Sequence, residues 1–200
     1  MLVVLLITSA QCSKDHPTTP TPQPAGCIHY ADYLHWVGGV DTPGNISDVA
    51  VAGTYAYAAG ESFGLQVIDV SDPADPRIVG RADTPGSAHA VAVSGTHAYV
   101  ADMSSGLQVV DITNPASPQI VGSVDTPSLA NNVAILGTHA YVADGRPSLQ
   151  VVDIANPQRP RIVGSFDAET YTIGVAVSGS YVYLAAGASG LMVLPAECAP

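Results

Sequence analysis

The sequence predicts an all-β fold built from four copies of a four-stranded sheet, and three observations predict it. The chain repeats every 42 residues without insertion, so that Gly53, Gly95, Gly137 and Gly179 are equivalent, as are Leu65, Leu107, Leu149 and Leu191. Asp69, Asp111 and Asp153 follow the same spacing. A fixed period of this size is the mark of a repeat architecture. Each unit holds short runs rich in Val, Ile and Tyr, bounded by Gly, Pro, Asn and Asp, which is the pattern of strands and turns. No stretch carries a helical period of useful length. Four short strands per unit predict a small β-propeller of four four-stranded blades, with units starting near Asp41, Asp83, Asp125 and Asp167.

The second unit shows the elements in order. Residues 89–93 form the first strand, and Ser94-Gly95 turns the chain. Residues 97–101 form the second strand, followed by a loop from Asp102 to Gly106. Leu107-Gln-Val-Val-Asp111 is the third strand, and residues 119–123 are the fourth, across a Thr113-Asn-Pro turn. The segments Leu65-Gln-Val-Ile-Asp69, Leu107-Gln-Val-Val-Asp111 and Leu149-Gln-Val-Val-Asp153 resemble the LVIVD repeat. The fourth copy departs from it, reading Leu191-Met-Val-Leu-Pro195 without an aspartate. The resemblance implies a propeller-like fold and an exported or surface protein of bacteria. It implies no activity, because one fold hosts many functions.

The fourth unit ends after its third strand. Residues 35–40 (His35-Trp-Val-Gly-Gly-Val40) stand 42 positions before Arg77-Ile-Val-Gly and carry the same Val-Gly. They are therefore expected to supply the last strand of blade four, with Trp36 in that strand, pairing the two ends and removing an open edge. In repeat coordinates Cys27 coincides with position 195, three positions before Cys198. Ends of a four-residue turn lie within about 7 Å, and a disulfide needs Cα atoms about 4.4–6.8 Å apart. A Cys27–Cys198 staple is thus expected, worth roughly 4–5 kcal/mol in the chain-entropy account, and it requires an oxidising compartment. Two unrelated cysteines are the plain alternative. A ring closed in this way implies a monomer. The other arrangement is an open half-ring that pairs with a second copy, which the cysteine placement disfavours.

The amino terminus reads as three parts: 1–12, 13–26 and the repeat domain 27–200. Leu2 to Ile7 is an apolar run followed by Thr8-Ser9-Ala10-Gln11-Cys12. Such a run ending in small residues is the tail of a secretory signal, and it is far too short to span a bilayer. Cys12 resembles the lipidated cysteine of bacterial lipoproteins, although Gln11 is bulkier than that pattern prefers; cleavage after Ala10 is the alternative. Residues 13–26 alternate Pro and Thr and form a stiff spacer reaching roughly 40 Å from an anchor, at about 3.1 Å per residue. A plain disordered terminus fits the same composition. The reading places the chain outside the cytoplasm, at a bacterial surface or in the periplasm, with the membrane met only through this anchor.

Composition limits the partners. The net charge is −11, from 6 Lys and Arg against 17 Asp and Glu. An acidic surface repels phosphate backbones and excludes nucleic acid. A protein or carbohydrate ligand remains open.

Positions shared by every blade read as structural. Asp69, Asp111 and Asp153, with Asp72-Pro, Asn114-Pro and Asn156-Pro, fit Asx-type turns; a calcium loop needs more ligands than one carboxylate per turn. Asp41, Asp83, Asp125 and Asp167 would form a ring under propeller symmetry and could hold Ca2+ or another divalent cation. The simpler reading, which we favour, is that each Asp opens an Asp-Thr-Pro turn; no cofactor is required. His97 and His139 interchange with Tyr55 and Tyr181, which argues for packing. His89 is unique to one blade.

The variable segments lie between strands two and three and in the connections between blades, which share one side of a blade. Recognition on a repetitive scaffold concentrates in such loops. The candidate binding residues are Glu61, Phe63, His89, Met103, Asn131, Arg146 and Tyr171. No nucleophile elbow, phosphate loop, HExxH or CxxC occurs, so nothing supports a catalytic residue. The expected function is an extracytoplasmic binding module; the alternative is a metal-dependent hydrolase or lactonase around the Asp ring.

Overall fold

A computed structural model describes residues 36–196. The chain divides into two compact units, Met1–Val37 and Gly38–Pro200, and the architecture below is that of the second. The export segment, the spacer, Cys12, Cys27 and Cys198 lie outside the described residues.

Blade 1 comprises β1 (Ile46–Ala52), β2 (Tyr55–Gly60), β3 (Gly64–Asp69) and β4 (Arg77–Ala82). Blade 2 comprises β5 (Ala90–Ser94), β6 (His97–Ala101), β7 (Leu107–Asp111) and β8 (Gln119–Val124). Blade 3 follows with β9 (Asn132–Leu136), β10 (His139–Ala143), β11 (Leu149–Asp153) and β12 (Arg161–Phe166). Blade 4 has β13 (Gly174–Ser178), β14 (Tyr181–Ala185) and β15 (Leu191–Pro195), with a short 3-10 turn at Gly187–Ser189. Within each sheet the strands lie in sequence order, each antiparallel to the next. This is the four-bladed propeller fold predicted by the repeat. The tight turn between first and second strands is set by Gly53, Gly95, Gly137 and Gly179, with φ of 61°, 58°, 57° and 57°, a left-handed region that side chains resist.

The core lies between blades, not within them. The inner strands pack in succession, β1 on β5, β5 on β9 and β9 on β13. Each strand alternates, so each blade has two apolar faces. One face carries a Tyr, an Ala, a Leu and a Val, as in Tyr57, Ala59, Leu65 and Val67, which pack on Val91, Ala98, Val100 and Val110 of blade 2. The set recurs one unit on, where Tyr99, Ala101, Leu107 and Val109 meet Val133, Ala140, Val142 and Val152. Tyr141 and Leu149 meet Val182 and Leu184 at the third interface, and the Tyr141 hydroxyl donates to the Ala196 carbonyl.

The amino-terminal segment takes half of the role expected of it. A Cβ on Gly38 would lie 2.4 Å from the Pro73 carbonyl oxygen, as one on Gly80 would lie 2.1 Å from that of Pro115 and one on Gly122 2.2 Å from that of Pro157. Val40 packs on the cluster of Ala56, Ala58 and Ile68. Residues 38–40 therefore lie on blade 1 as β4 lies on blade 2. The pairing with blade 4 is not seen: residues 36–40 carry no strand, and among the described residues β15 pairs only with β14. His35 itself lies outside the described residues. No packing comparable to that between consecutive blades joins β13 to β1. The four described blades thus form an open arc, because residues 38–40 lie on blade 1 and β13 does not pack on β1 as consecutive blades pack on one another.

Leu107 is fully buried at an interface of two blades. Leu107→Ala is expected to lower unfolding free energy by about 2–5 kcal/mol, through lost transfer energy and the cavity left behind, as read by urea denaturation.

Candidate functional site: the loop face

The loop between the second and third strands of a blade, and the connection into the next blade, meet on one side of the arc. Met103 and Ala130 bond through their backbones in both directions, at 3.2 and 3.0 Å. Gly145 and Thr172 form the equivalent bridge between blades 3 and 4. The loops of blades 2 and 3 are thereby tied to the following blade.

Two buried carboxylates tie each loop to its own blade as well. Asp102 and Asp144 are fully buried and stand one repeat apart. The Thr84 hydroxyl donates to Asp102 Oδ1 at 2.7 Å, and the Gly86 N–H donates to Oδ2 at 2.8 Å. The Ser128 N–H donates to Asp144 Oδ2 at 3.2 Å. Burial holds both carboxyls above the usual Asp range, against the opposing pull of these donors. In blade 1 the equivalent position is Gly60, and the ring of Phe63 fills the space: a Cβ on Gly60 would lie 1.9 Å from it.

The candidate binding residues separate on these facts. Phe63, expected to meet a ligand, is buried and serves as a plug, because Gly60 leaves a void beneath it. Met103 is half-buried, with φ of 50°, and works through its backbone. Glu61 is exposed and accepts from the Ser47 hydroxyl at 3.5 Å. The other four come together. His89 Nδ1 lies 3.0 Å from the Asn131 carbonyl oxygen; a carbonyl only accepts, so this nitrogen carries the proton. The Asn131 amide donates to the carbonyls of Leu129 at 2.9 Å and Thr172 at 3.1 Å, and its side-chain oxygen accepts from the Tyr171 hydroxyl at 3.3 Å. Arg146 is exposed, and its guanidinium donates to the Glu169 carbonyl. The Tyr171 ring covers Gly145, where a Cβ would lie 2.9 Å from it. The result is a polar chain from blade 2 to blade 4 that ends on the Tyr171 ring, with the Arg146 guanidinium held separately on the connection carrying that ring.

The four aspartates at the unit starts are all exposed. Asp83 accepts from Arg81 at 2.6 Å, and Asp167 accepts from the Glu169 N–H at 2.8 Å. Among the described residues no three His, Cys, Asp or Glu side chains come together as a metal group. The opposite side of the arc is uniform. Asp69, Asp111 and Asp153 accept from the N–H two residues on, at 2.9, 2.8 and 3.0 Å. Asp72, Asn114 and Asn156 do the same at 3.0, 3.2 and 3.1 Å. These are the Asx turns expected; the backbone donors lead in holding the carboxyls of Asp69 and Asp153 below the usual range, and the Thr113 hydroxyl, then its N–H, does so for Asp111.

The LVIVD repeat matches residues 43–84, 85–126, 128–168 and 170–194. The chain belongs to the LVIVD-repeat family. No curated protein matches it. Among solved structures it is similar to the computationally designed Ika4 protein, with a TM-score of 0.68 and 12% identity over 82% of this chain and 99% of that one. It is also similar to the computationally designed Ika8 protein, with a TM-score of 0.63 and 12% identity over 76% of this chain and 46% of that one. At such identity the likeness shows the fold alone. In this LVIVD-repeat protein sequence reasoning missed Asp102 and Asp144 as anchors. The available signal was their spacing of one repeat, each behind an Asp-Thr-Pro segment at residues 83 and 125.

A carboxyl whose folded pKa is raised contributes stability below its unfolded value, near 3.8, and loses it as pH rises through the folded value. Asp102→Asn keeps an acceptor for Gly86 and a donor for the Thr84 oxygen, and does not titrate. The stability of wild type relative to Asp102→Asn should therefore fall as pH rises from below 3.8 through the raised value, as measured by thermal unfolding across a pH series.

Proposed function

We propose that this chain acts outside the cytoplasm, tethered to a membrane through Cys12 and the Pro/Thr spacer, and binds a protein or carbohydrate ligand through its loop face. One observation carries the reading: blade-specific residues His89, Asn131 and Tyr171 are joined by hydrogen bonds from blade 2 to blade 4, and Arg146 is held on the Glu169 carbonyl of the same connection, while the opposite side repeats one turn. Side chains held in place lose less freedom on binding, and Tyr and Arg are the types that dominate binding surfaces. The charge of −11 favours a ligand with basic or neutral groups and disfavours nucleic acid. The exposed, separate placement of Asp41, Asp83, Asp125 and Asp167 lends no support to a central cation or to hydrolysis.

The immobilised chain, screened against a glycan array and a peptide library, should retain a ligand whose affinity falls at least about tenfold in Arg146→Ala or Tyr171→Phe. Thr96→Ala, on the opposite side, should leave it unchanged. Equal loss from both sides would overturn the loop-face reading. Export also implies that Cys27 and Cys198 are joined. Intact mass without reductant should show no alkylatable thiol at either position, and two free thiols would refute the bond.

A further inference from the structure

The arc has two ends, and each exposes a face that is buried in every other blade. On blade 4 the outward face carries Tyr183, Ala185, Leu191 and Val193, equivalents of Tyr57, Ala59, Leu65 and Val67. Leu191 is 70% exposed and Val193 51%, whereas Leu65 and Leu107 are fully buried and Leu149 is 3% exposed. On blade 1 the outward face carries Val49 and Val51, 55% and 67% exposed. The equivalents of Val49 one and two units on, Val91 and Val133, are 5% and 6% exposed under the preceding blade, and those of Val51, Val93 and Ile135, are partly buried. Apolar patches of this kind mark interaction surfaces.

What covers them can be read from the other blades. At each of the three internal interfaces the Tyr-Ala-Leu-Val face is buried by the Val-rich face of the next blade. Among the described residues no blade follows blade 4 and none precedes blade 1. The two surfaces are complementary by repeat identity. They do not meet within one chain among the described residues. Residues 38–40 already lie on blade 1 where the outer strand of a preceding blade belongs, and among the described residues β15 has no such strand beside it.

We propose that a second copy of this chain docks on each end, blade 4 of one copy against blade 1 of the other, so that two arcs close into one ring. The contact is head to tail and occurs twice, related by a two-fold axis, so no end remains exposed. Residues 38–40 of each copy run beside β15 of the other and complete its sheet. This replaces the single-chain closure that the sequence suggested, with the same pairing of ends made between copies.

The test is light scattering on the purified full chain across a dilution series. The expected mass is twice that of the 20.4 kDa chain. In reductant, which opens a Cys27–Cys198 bond whether it lies within a chain or between copies, Leu191→Asp and Val51→Lys each alter an exposed side chain, and each should yield single chains by itself with unchanged circular dichroism. Mixing the two should restore a paired species. One of its contacts is wild type and the other sets the new carboxylate against the new ammonium. Wild type at the mass of one chain, with the amides of β15 protected from exchange, would show closure within the chain and overturn the proposal. So would a ladder of larger species, or a mixture that stays monomeric.

Discussion

Blade-on-blade packing is the interaction on which everything else in this molecule depends. A single four-stranded sheet of this size has no interior of its own, and its two apolar faces must each be covered. The 42-residue unit solves this by giving each blade unlike faces. A bulky Tyr and Leu stand on one side and small Ala and Val on the other, so each blade fits its successor and not itself. The close approach of Gly80 to the Pro115 carbonyl and of Gly122 to that of Pro157 locks the outer strand of one blade against the turn of the next. Stability is then a sum of neighbour terms, and the two terminal blades each lack one.

That arrangement leaves the loop side as the place where blades can differ. The Asx turns opposite repeat in each of the first three blades with nearly the same bond lengths. On the loop side, bonds pass between units at spacings near one repeat, from His89 to Asn131 and from Asn131 to Tyr171 and Thr172. Asp48 accepts from the Val91 N–H at 3.0 Å, and Asn132 from that of Val175 at 3.2 Å, at the same offset. Between blades 2 and 3 the equivalent residue is Ala90, and the His89 bond takes its place.

The strands, their order and the face carrying Leu65, Leu107 and Leu149 were legible because the repeat states them several times over. The Asx turns were legible for the same reason. Phe63 was misread, since an aromatic residue in a Gly-rich loop looks like a ligand contact until Gly60 is seen to leave space beneath it. Asp102 was passed over because a loop-opening aspartate reads as solvated, and its partner Thr84 stands 18 residues away. Closure was the least legible feature. It depends on the rotation between successive blades, a sum of small packing choices that no single residue type encodes.

The plugs beneath the loops have a consequence for how this surface can change. A phenyl ring in blade 1 and a carboxylate in blades 2 and 3 fill the same recess, so the backbone above is shaped from below. The residues that crown the first three loops, Glu61, Ser104 and Arg146, are all exposed, and none of them fills the recess beneath. Mutation can rewrite their chemistry one blade at a time while the scaffold stays intact. A chain organised in this way can drift toward new ligands without passing through unfolded ancestors.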